Sequence, residues 1–150
     1  MPSSPGAVLF ACNLNRVRSP MAAALLRRRF PSLMFVDSCG VRPEERDEPD
    51  PFVVAVMAEV GVDLSAHAPK TFDQLEDESF DLVISLTPEA QHRAVELTRG
   101  HATEMEYWPT HDPTLASGSR EAILAAYREV RDALGRHIEE RFPQASTMTA

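Results

Sequence analysis

Short apolar runs alternate with helical stretches along this chain, which predicts an α/β fold. Residues 7–12 form a continuous apolar run, typical of a strand that is buried on both faces of a parallel sheet. Runs of the same kind predict three further strands. These are expected at residues 33–38, where Gly40 ends the run, and at residues 80–86 and 105–108.

The stretches between the strands carry the start and stop signals of helices. Ser19-Pro20 is expected to open the first helix, with serine as the N-cap and proline in the first turn. Thr87-Pro88 and Ser119 are expected to open two later helices in a similar way. The predicted helices cover residues 21–29, 52–60, 88–99 and 120–142.

Four strands separated by helices predict a single-domain, open four-stranded parallel sheet with helices on both faces. The domain is expected to span residues 1–150, with fraying after Pro143. Residues 41–51 include three prolines and are expected to form an irregular surface loop. Ligands of such sheets bind beyond the carboxyl ends of the strands. The segments that follow the first, second and fourth strands are therefore expected to meet at one site.

The segment after the first strand carries the strongest chemical signal. Cys12 ends the strand, five residues follow, and Arg18 stands just before the helix start. A loop of this length can wrap its backbone N–H groups around a tetrahedral oxyanion, at the positive end of the helix dipole. Arg18 offers a planar fork for two oxygens, and the same positive field favours the thiolate of Cys12. The sequence therefore predicts a phosphate-binding loop between the first strand and the first helix.

The composition limits partners and cofactors. A net charge of −8 argues against nucleic acid, and no apolar run reaches the roughly 18 residues that a membrane span needs. The first residues lack the pattern of a secretory signal, and Cys12 and Cys39 are expected to be reduced thiols, so we expect a cytoplasmic protein. The histidines are scattered and no Cys/His pair has zinc spacing, so neither a metal nor another cofactor is expected.

The run VLFACNLNRVRSPMAAALL resembles the phosphate-binding start of the low-molecular-weight protein tyrosine phosphatases and the related arsenate reductases. The resemblance extends through residues 37–40, 61–67, 80–86 and 111–113, and so covers most of the chain in the right order. It implies a phosphomonoesterase that acts on a phosphotyrosine protein or a small aryl phosphate through a phosphocysteine intermediate. Phosphate or arsenate would be its oxyanion ligands.

The resemblance also implies a role for individual residues. Cys12 would carry the phosphoryl group, Arg18 would hold its oxygens, and Asp112 would be the general acid. Without the Cys12 loop, Asp112-Pro113 is better interpreted as the start of a turn, since Asp-Pro favours turns. Ser38 would support the loop from the second strand. The substrate-binding residues would be Asn13, Leu14, Asn15, Arg16, Val17 and Ser19, of which Asn15 props the loop and Ser19 stabilises the thiolate.

The chain departs from the family pattern at positions that bear on specificity. Leu14 stands where the family often has glycine, and Val17 where many members have a second cysteine. Thr114 and Leu115 follow the Asp-Pro pair, where tyrosine phosphatases commonly have aromatic residues. Phosphotyrosine preference is therefore left open. Two other aromatic residues are possible walls of the slot but are interpreted as core: Phe52 and Trp108.

Two alternative functions stay open beside the phosphatase. Thioredoxin-coupled arsenate reductases need two further cysteines after the third strand, and residues 85–90 hold none, so that relay is excluded. A single-cysteine arsenate reductase that uses a small thiol remains compatible, because arsenate mimics phosphate. The other alternative is a phosphate-binding module without turnover.

Cys39 follows Ser38 at the carboxyl edge of the predicted sheet. We hypothesise that Cys12 and Cys39 form a reversible disulfide under oxidation. The alternative is that Cys39 is a buried structural thiol, which is the commoner role of such a residue.

Overall fold

In the computed structural model, which describes residues 5–77 and 79–144, one parallel sheet forms the centre of the protein. Its four strands are ordered β2-β1-β3-β4, so the strand that ends at Cys12 lies between two others. The strands are β1 (Ala7–Cys12), β2 (Phe35–Gly40), β3 (Leu82–Ser85) and β4 (Glu104–Tyr107). The predicted four-stranded parallel sheet is therefore confirmed.

Helices cover both faces of this sheet, as predicted. They are α1 (Arg18–Arg29), α2 (Pro51–Ala58), α3 (Pro88–Thr98) and α4 (Arg120–Arg141), with short 3₁₀ turns at Phe72–Gln74 and Pro113–Leu115. Helices α1, α2 and α4 share one apolar core with Val8, Phe10 and Cys12 of β1. Helix α3 packs in a second core with Leu9 and Ala11, because alternate residues of a strand point to opposite faces. The sheet thus divides the interior into two layers.

Two of the three predicted helix caps are confirmed. The hydroxyl of Thr87 accepts a hydrogen bond from the N–H of Ala90, and that of Ser119 from the N–H of Ala122. The predicted cap at Ser19 is wrong, since α1 already begins at Arg18 and its N-cap residue makes no side-chain hydrogen bond. Ser19 instead lies in the first turn, where its hydroxyl is available to the Cys12 loop.

The second strand begins and ends later than predicted. Residue Leu33 is 79% exposed and lies outside β2, whereas pairing with β1 continues to the end of the strand, where Cys12 faces Gly40. Gly40 is therefore the last residue of the strand rather than its terminator. The predicted fraying after Pro143 concerns a segment that lies, from residue 145 onward, outside the described residues.

Candidate active site

The loop after β1 bends around a centre above Cys12, at the carboxyl edge of the sheet. The Cys12 side chain is buried, with only 2% of the residue exposed. Asn15 adopts a φ of 56°, the left-handed conformation that asparagine tolerates better than most residues. It is the one non-glycine residue with positive φ among residues 5–77 and 79–144. Asparagine at this position thus lets the loop close.

Gly40 gives the loop the room that it needs against β2. A Cβ atom on Gly40 would lie 2.8 Å from the backbone nitrogen of Asn15 and 2.8 Å from the carbonyl carbon of Leu14. Both atoms belong to the loop backbone, so no flexible side chain can relieve the contact. The sequence analysis assigned Gly40 only to the end of a strand. Its true role follows from the close approach of two segments that are distant in sequence.

We expect Gly40→Ala to weaken binding of inorganic phosphate by about tenfold or more, and to cost about 1–3 kcal/mol of folding stability through overpacking. Titration calorimetry and thermal unfolding measure the two effects. Gly135→Ala is the matched control, because a Cβ on Gly135, in α4, meets nothing within 4 Å. A Gly40→Ala variant with unchanged phosphate affinity would show that the loop does not depend on this contact.

Asn15 fastens the loop to three other segments through its buried side chain. Its Nδ2 donates to the hydroxyls of Ser19 and Ser38, at 2.8 and 2.9 Å, and its Oδ1 accepts from the backbone N–H of Lys70 at 2.9 Å. The Nε2 of His67 lies 2.8 Å from the Asn15 carbonyl oxygen, and burial lowers the pKa of that imidazole. His67 and Lys70 carry no signal of this role in the sequence. The geometry fits the supporting roles predicted for Asn15 and Ser38.

Ser19 lies next to the candidate nucleophile. Its hydroxyl oxygen is 3.0 Å from the Cys12 sulfur, and it accepts from Asn15. Asn15 supplies a proton to that oxygen, so the single proton of the Ser19 hydroxyl points either to the Cys12 sulfur or to the carbonyl oxygen of Cys39, which lies 3.3 Å away. The N-terminus of α1 adds the positive end of its dipole. The sulfur of Cys12 therefore lies between a hydroxyl group and the positive end of a helix dipole.

Arg18 and Asp112 meet at the mouth of the loop. Nη1 of Arg18 donates to the carbonyl oxygen of Thr110 at 3.0 Å, and Nη2 lies 3.8 Å from Oδ2 of Asp112. The other carboxylate oxygen of Asp112 accepts from the N–H and the hydroxyl of Thr114. The turn predicted at Asp112-Pro113 is therefore present, and the role of Asp112 as general acid stays a prediction. One oxygen starts a turn, while the other faces the guanidinium at the slot.

The slot that opens above Cys12 has a volume of about 470 Å³. Its wall includes Phe52 and Tyr127, whose ring centroids are 5.4 Å apart. Phe52 is partly buried and packs against the core while it also lines the slot, whereas Trp108 is buried in the core as predicted. Tyr127 was missed because it comes from α4, where the helical pattern marks it only as a core residue. The slot therefore has an aromatic wall that the loop sequences do not supply.

The segment predicted as a surface loop, residues 41–51, forms a charged side of the same slot. Its Asp50 is buried, accepts from the hydroxyl of Tyr127 at 2.9 Å and caps α2. Burial, and then this hydrogen bond, raise the pKa of Tyr127. The predicted irregular surface loop is confirmed for residues 41–50, most of which are exposed, although several of its side chains also line the slot and α2 begins at Pro51. Other charged residues of the segment that line the slot are Arg42, Glu44, Arg46 and Glu48.

Arg16 lies in the phosphate-binding loop, but its side chain contacts residues of segment 41–51. The side chain is 8% exposed, and it donates to the carbonyl oxygen of Glu48 at 3.2 Å. It also lies 3.6 Å from Asp50 and 3.9 Å from Glu44. The guanidinium of Arg16 is therefore bound by the acidic segment, residues 41–51. Only the backbone N–H of Arg16 remains to bind an oxyanion in the loop. Leu14 and Val17 also line the slot, and Val17 is buried.

A family model described as "Low molecular weight phosphotyrosine protein phosphatase" matches residues 7–145. The chain belongs to this family. Among curated relatives, an arsenate reductase of Bacillus subtilis is 30% identical over 133 residues, which is 89% of this chain and 92% of the relative. A low molecular weight protein-tyrosine-phosphatase of Streptomyces coelicolor is 34% identical over 121 residues, 74% of this chain and 72% of the relative.

Solved structures show the same fold. The YwlE arginine phosphatase from Geobacillus stearothermophilus matches with a TM-score of 0.75 and 25% identity, over 91% of this chain and 90% of that one. The family resemblance read from the sequence is therefore confirmed. The low molecular weight phosphatase family includes both cysteine-dependent phosphatases and arsenate reductases, and this chain is an enzyme of that family.

The two cysteines of this family member lie on opposite faces of the sheet. Cys39 pairs in register with Ala11 and packs with it in the core under α3, whereas Cys12 belongs to the other core. Both thiols are free and buried. Burial, and then the nearby Cys12, raise the pKa of the Cys39 thiol, so it is a poor thiolate. The hypothesis of a Cys12–Cys39 disulfide is not supported, since the alternation of side chains along β2 separates the pair.

We expect mild peroxide to convert Cys12 to sulfenic or sulfinic acid while Cys39 remains a free thiol. The reason is the poor thiolate character of Cys39 and its burial in the other core layer. Peptide mapping by mass spectrometry after oxidation measures both sites, with a phosphate-protected sample as the control. A Cys12–Cys39 disulfide as the main product would contradict this account.

The described residues also bear on metals and membranes. Within 5–77 and 79–144, no cluster of three or more His, Cys, Asp and Glu side chains could hold a metal ion. In the same part of the chain, every helix is too short or too polar to cross a membrane. The predictions of no cofactor and of no metal remain predictions.

Proposed function

We propose that this chain is a phosphomonoesterase that hydrolyses phosphotyrosine or small aryl phosphates through a phosphocysteine at Cys12. The observation that carries the proposal is the convergence of Cys12, Arg18 and Asp112 on one slot with an aromatic wall. An aryl leaving group can pack against Phe52 while its phosphoryl group enters the loop. In this proposal residues 1–150 act as one domain, in the cytoplasm, without a cofactor and without nucleic acid or membrane as partner.

The proposed reaction has two steps. In the first, the Cys12 thiolate attacks phosphorus, the bond from phosphorus to the ester oxygen breaks, and Asp112 gives its proton to the leaving oxygen. In the second, water attacks the phosphocysteine, the Asp112 carboxylate takes a proton from it, and the phosphorus–sulfur bond breaks. Phosphate leaves and the thiolate is restored, stabilised by the Ser19 hydroxyl. Arg18 and the backbone N–H groups of the loop hold the phosphoryl oxygens throughout.

A second candidate is a single-cysteine arsenate reductase. It is favoured by the curated arsenate reductases that are 30% identical over most of the chain. Here the Cys12 thiolate would attack arsenate and displace water. A small thiol would then attack the Cys12 sulfur, which releases arsenite and leaves a mixed disulfide, and a second small thiol would reduce that disulfide to restore Cys12. The chain has only two cysteines, so a relay through further cysteines is excluded. A binding module without turnover is disfavoured, because Cys12, Arg18 and Asp112 all face the slot.

One pair of assays decides between these functions. We expect the purified chain to release phosphate from an aryl phosphate at mildly acidic pH in the presence of a metal chelator. The second assay measures arsenite release from arsenate with glutathione as the small thiol. Turnover only in the second assay would assign the chain to the reductases. Binding of phosphate with no turnover in either assay would leave the binding module.

A further inference from the structure

A side-chain contact ties the phosphate-binding loop to the helix behind it. Thr87, the residue before α3, is 2% exposed, and its Oγ1 lies 2.7 Å from Oδ1 of Asn13 in the loop. The same Oγ1 accepts the N–H of Ala90 at 3.0 Å and so caps α3. One hydroxyl therefore serves the helix and the loop at once.

The hydrogen-bond capacity of Thr87 sets the orientation of the Asn13 amide. A hydroxyl has one proton to donate, and the N–H of Ala90 already fills one acceptor position on its oxygen. The proton therefore goes to Asn13, whose carbonyl oxygen Oδ1 accepts it. The positive end of the α3 dipole also favours an oxygen over an N–H group at this place. These hydrogen bonds assign the orientation of the Asn13 amide: its Oδ1 faces Thr87, and its Nδ2 points away from α3.

The amide of Asn13 is held beside the nucleophile. The backbone carbonyl of Asn13 accepts from the N–H of Arg42 at 2.9 Å, which fixes the residue against the chain that follows β2. Asn13 lines the slot directly after Cys12 and is half-buried. Among residues 5–77 and 79–144, its Nδ2 has no hydrogen-bond partner, although its Oδ1 has one. Two N–H groups are thus left for a ligand in the slot.

We propose that Thr87 is a positioning residue, which holds Asn13 so that its Nδ2 donates to the outward-facing oxygen of a tetrahedral oxyanion bound in the loop. The backbone N–H groups of the loop and Arg18 surround the inner oxygens. The remaining oxygen points into the slot, which Asn13 lines. In a phosphate ester this is the leaving-group oxygen, and that part of the inference rests on the proposed function. The contact between Asn13 and free phosphate does not depend on the proposed function.

A double-mutant cycle tests this coupling by calorimetric titration with inorganic phosphate. We expect Asn13→Ala and Thr87→Val each to weaken phosphate binding by about ten- to hundredfold, the effect of one lost hydrogen bond to a charged group. The double variant is expected to bind no more weakly than the worse single variant, because both changes remove the same contact. Thr87→Ser, which keeps the hydroxyl, is expected to bind phosphate like the wild type.

Controls separate positioning from general stability. Thr87→Val also removes the cap of α3, so its melting temperature falls in both the wild-type and the Asn13→Ala background, and this loss cancels in the cycle. Ser119→Ala removes the equivalent cap of α4 and is expected to lower the melting temperature with unchanged phosphate affinity. Additive losses in the cycle, unchanged affinity in Asn13→Ala, or a Thr87→Ser variant as weak as Thr87→Val would each overturn the inference.

Turnover of an aryl phosphate by the same variants distinguishes this inference from the proposed function. Phosphate binding that follows the cycle in a chain without turnover would refute the phosphatase and keep the coupling. Normal turnover, together with a double-mutant cycle that shows no coupling in phosphate affinity, would refute the coupling alone. With both intact, we expect the single variants to lower kcat/KM by a similar factor, since the contact forms on the reacting group.

Discussion

Cys12→Ser is expected to reduce aryl phosphate hydrolysis to the uncatalysed background, a loss of at least about four decades. A serine hydroxyl is far less acidic than a thiol, and no other side chain at the centre of the loop can take its place as nucleophile. Release of an aryl alcohol under saturating substrate measures the loss. Calorimetry is expected to show that the variant still binds phosphate, because the N–H groups of the loop and Arg18 are unchanged.

The matched control for this variant is Cys39→Ala. Cys39 lies under α3 in the other core layer, so the substitution changes a buried side chain without touching the slot. It is expected to keep most of the activity and to lower stability slightly. Residual turnover by Cys12→Ser with unchanged KM, or equal losses in the two variants, would remove Cys12 from the reaction.

Asp112→Asn is expected to lower kcat by roughly two to four decades, the usual contribution of a general acid. Asparagine keeps an oxygen for the turn, since Oδ1 of Asp112 only accepts from Thr114, so the loop is expected to stay in place. The decisive measurement is kcat against the basicity of the leaving group. A missing proton donor penalises basic leaving groups most, and aryl oxides that leave easily are expected to be least affected.

Asp63→Asn is the control for the turn itself. Asp63 accepts from the N–H and the hydroxyl of Ser65, as Asp112 does from Thr114, and it lies outside the slot. This variant is expected to hydrolyse all substrates like the wild type. A loss in Asp112→Asn that is uniform across leaving groups would assign Asp112 to loop structure instead of proton transfer.

Much of the architecture was accessible from local signals. Continuous apolar runs predicted the four strands, and the caps at Thr87 and Ser119 were right because capping is a contact over three residues. The ends of the strands were less accurate, as at β2, because pairing with β1 decides where a strand stops. Ser19 was misread for a similar reason. The Ser19 hydroxyl forms hydrogen bonds with Cys12 and Asn15, and these contacts exist only in the folded loop.

The candidate site was predictable where its residues lie close together in the chain. The spacing from Cys12 to Arg18, between a strand and a helix, already indicates an oxyanion-binding loop, because backbone N–H groups and a helix terminus act locally. Residues of other elements that contact the loop or line the slot gave no signal in the sequence. They are Gly40, His67, Lys70, Thr87, Thr110 and Tyr127.

The sequence by itself determined the parallel α/β architecture and the loop between Cys12 and Arg18, since these depend on periodicity and on neighbours along the chain. Only the tertiary structure decided the shape of the slot. In the folded chain, Asp50 accepts a hydrogen bond from Tyr127, 77 positions away, and the acidic segment binds the side chain of Arg16. Cys39 and Cys12 lie on opposite faces of the sheet. These outcomes depend on which segments pack together and on which face of a strand a side chain points, and both are set by the folded chain as a whole.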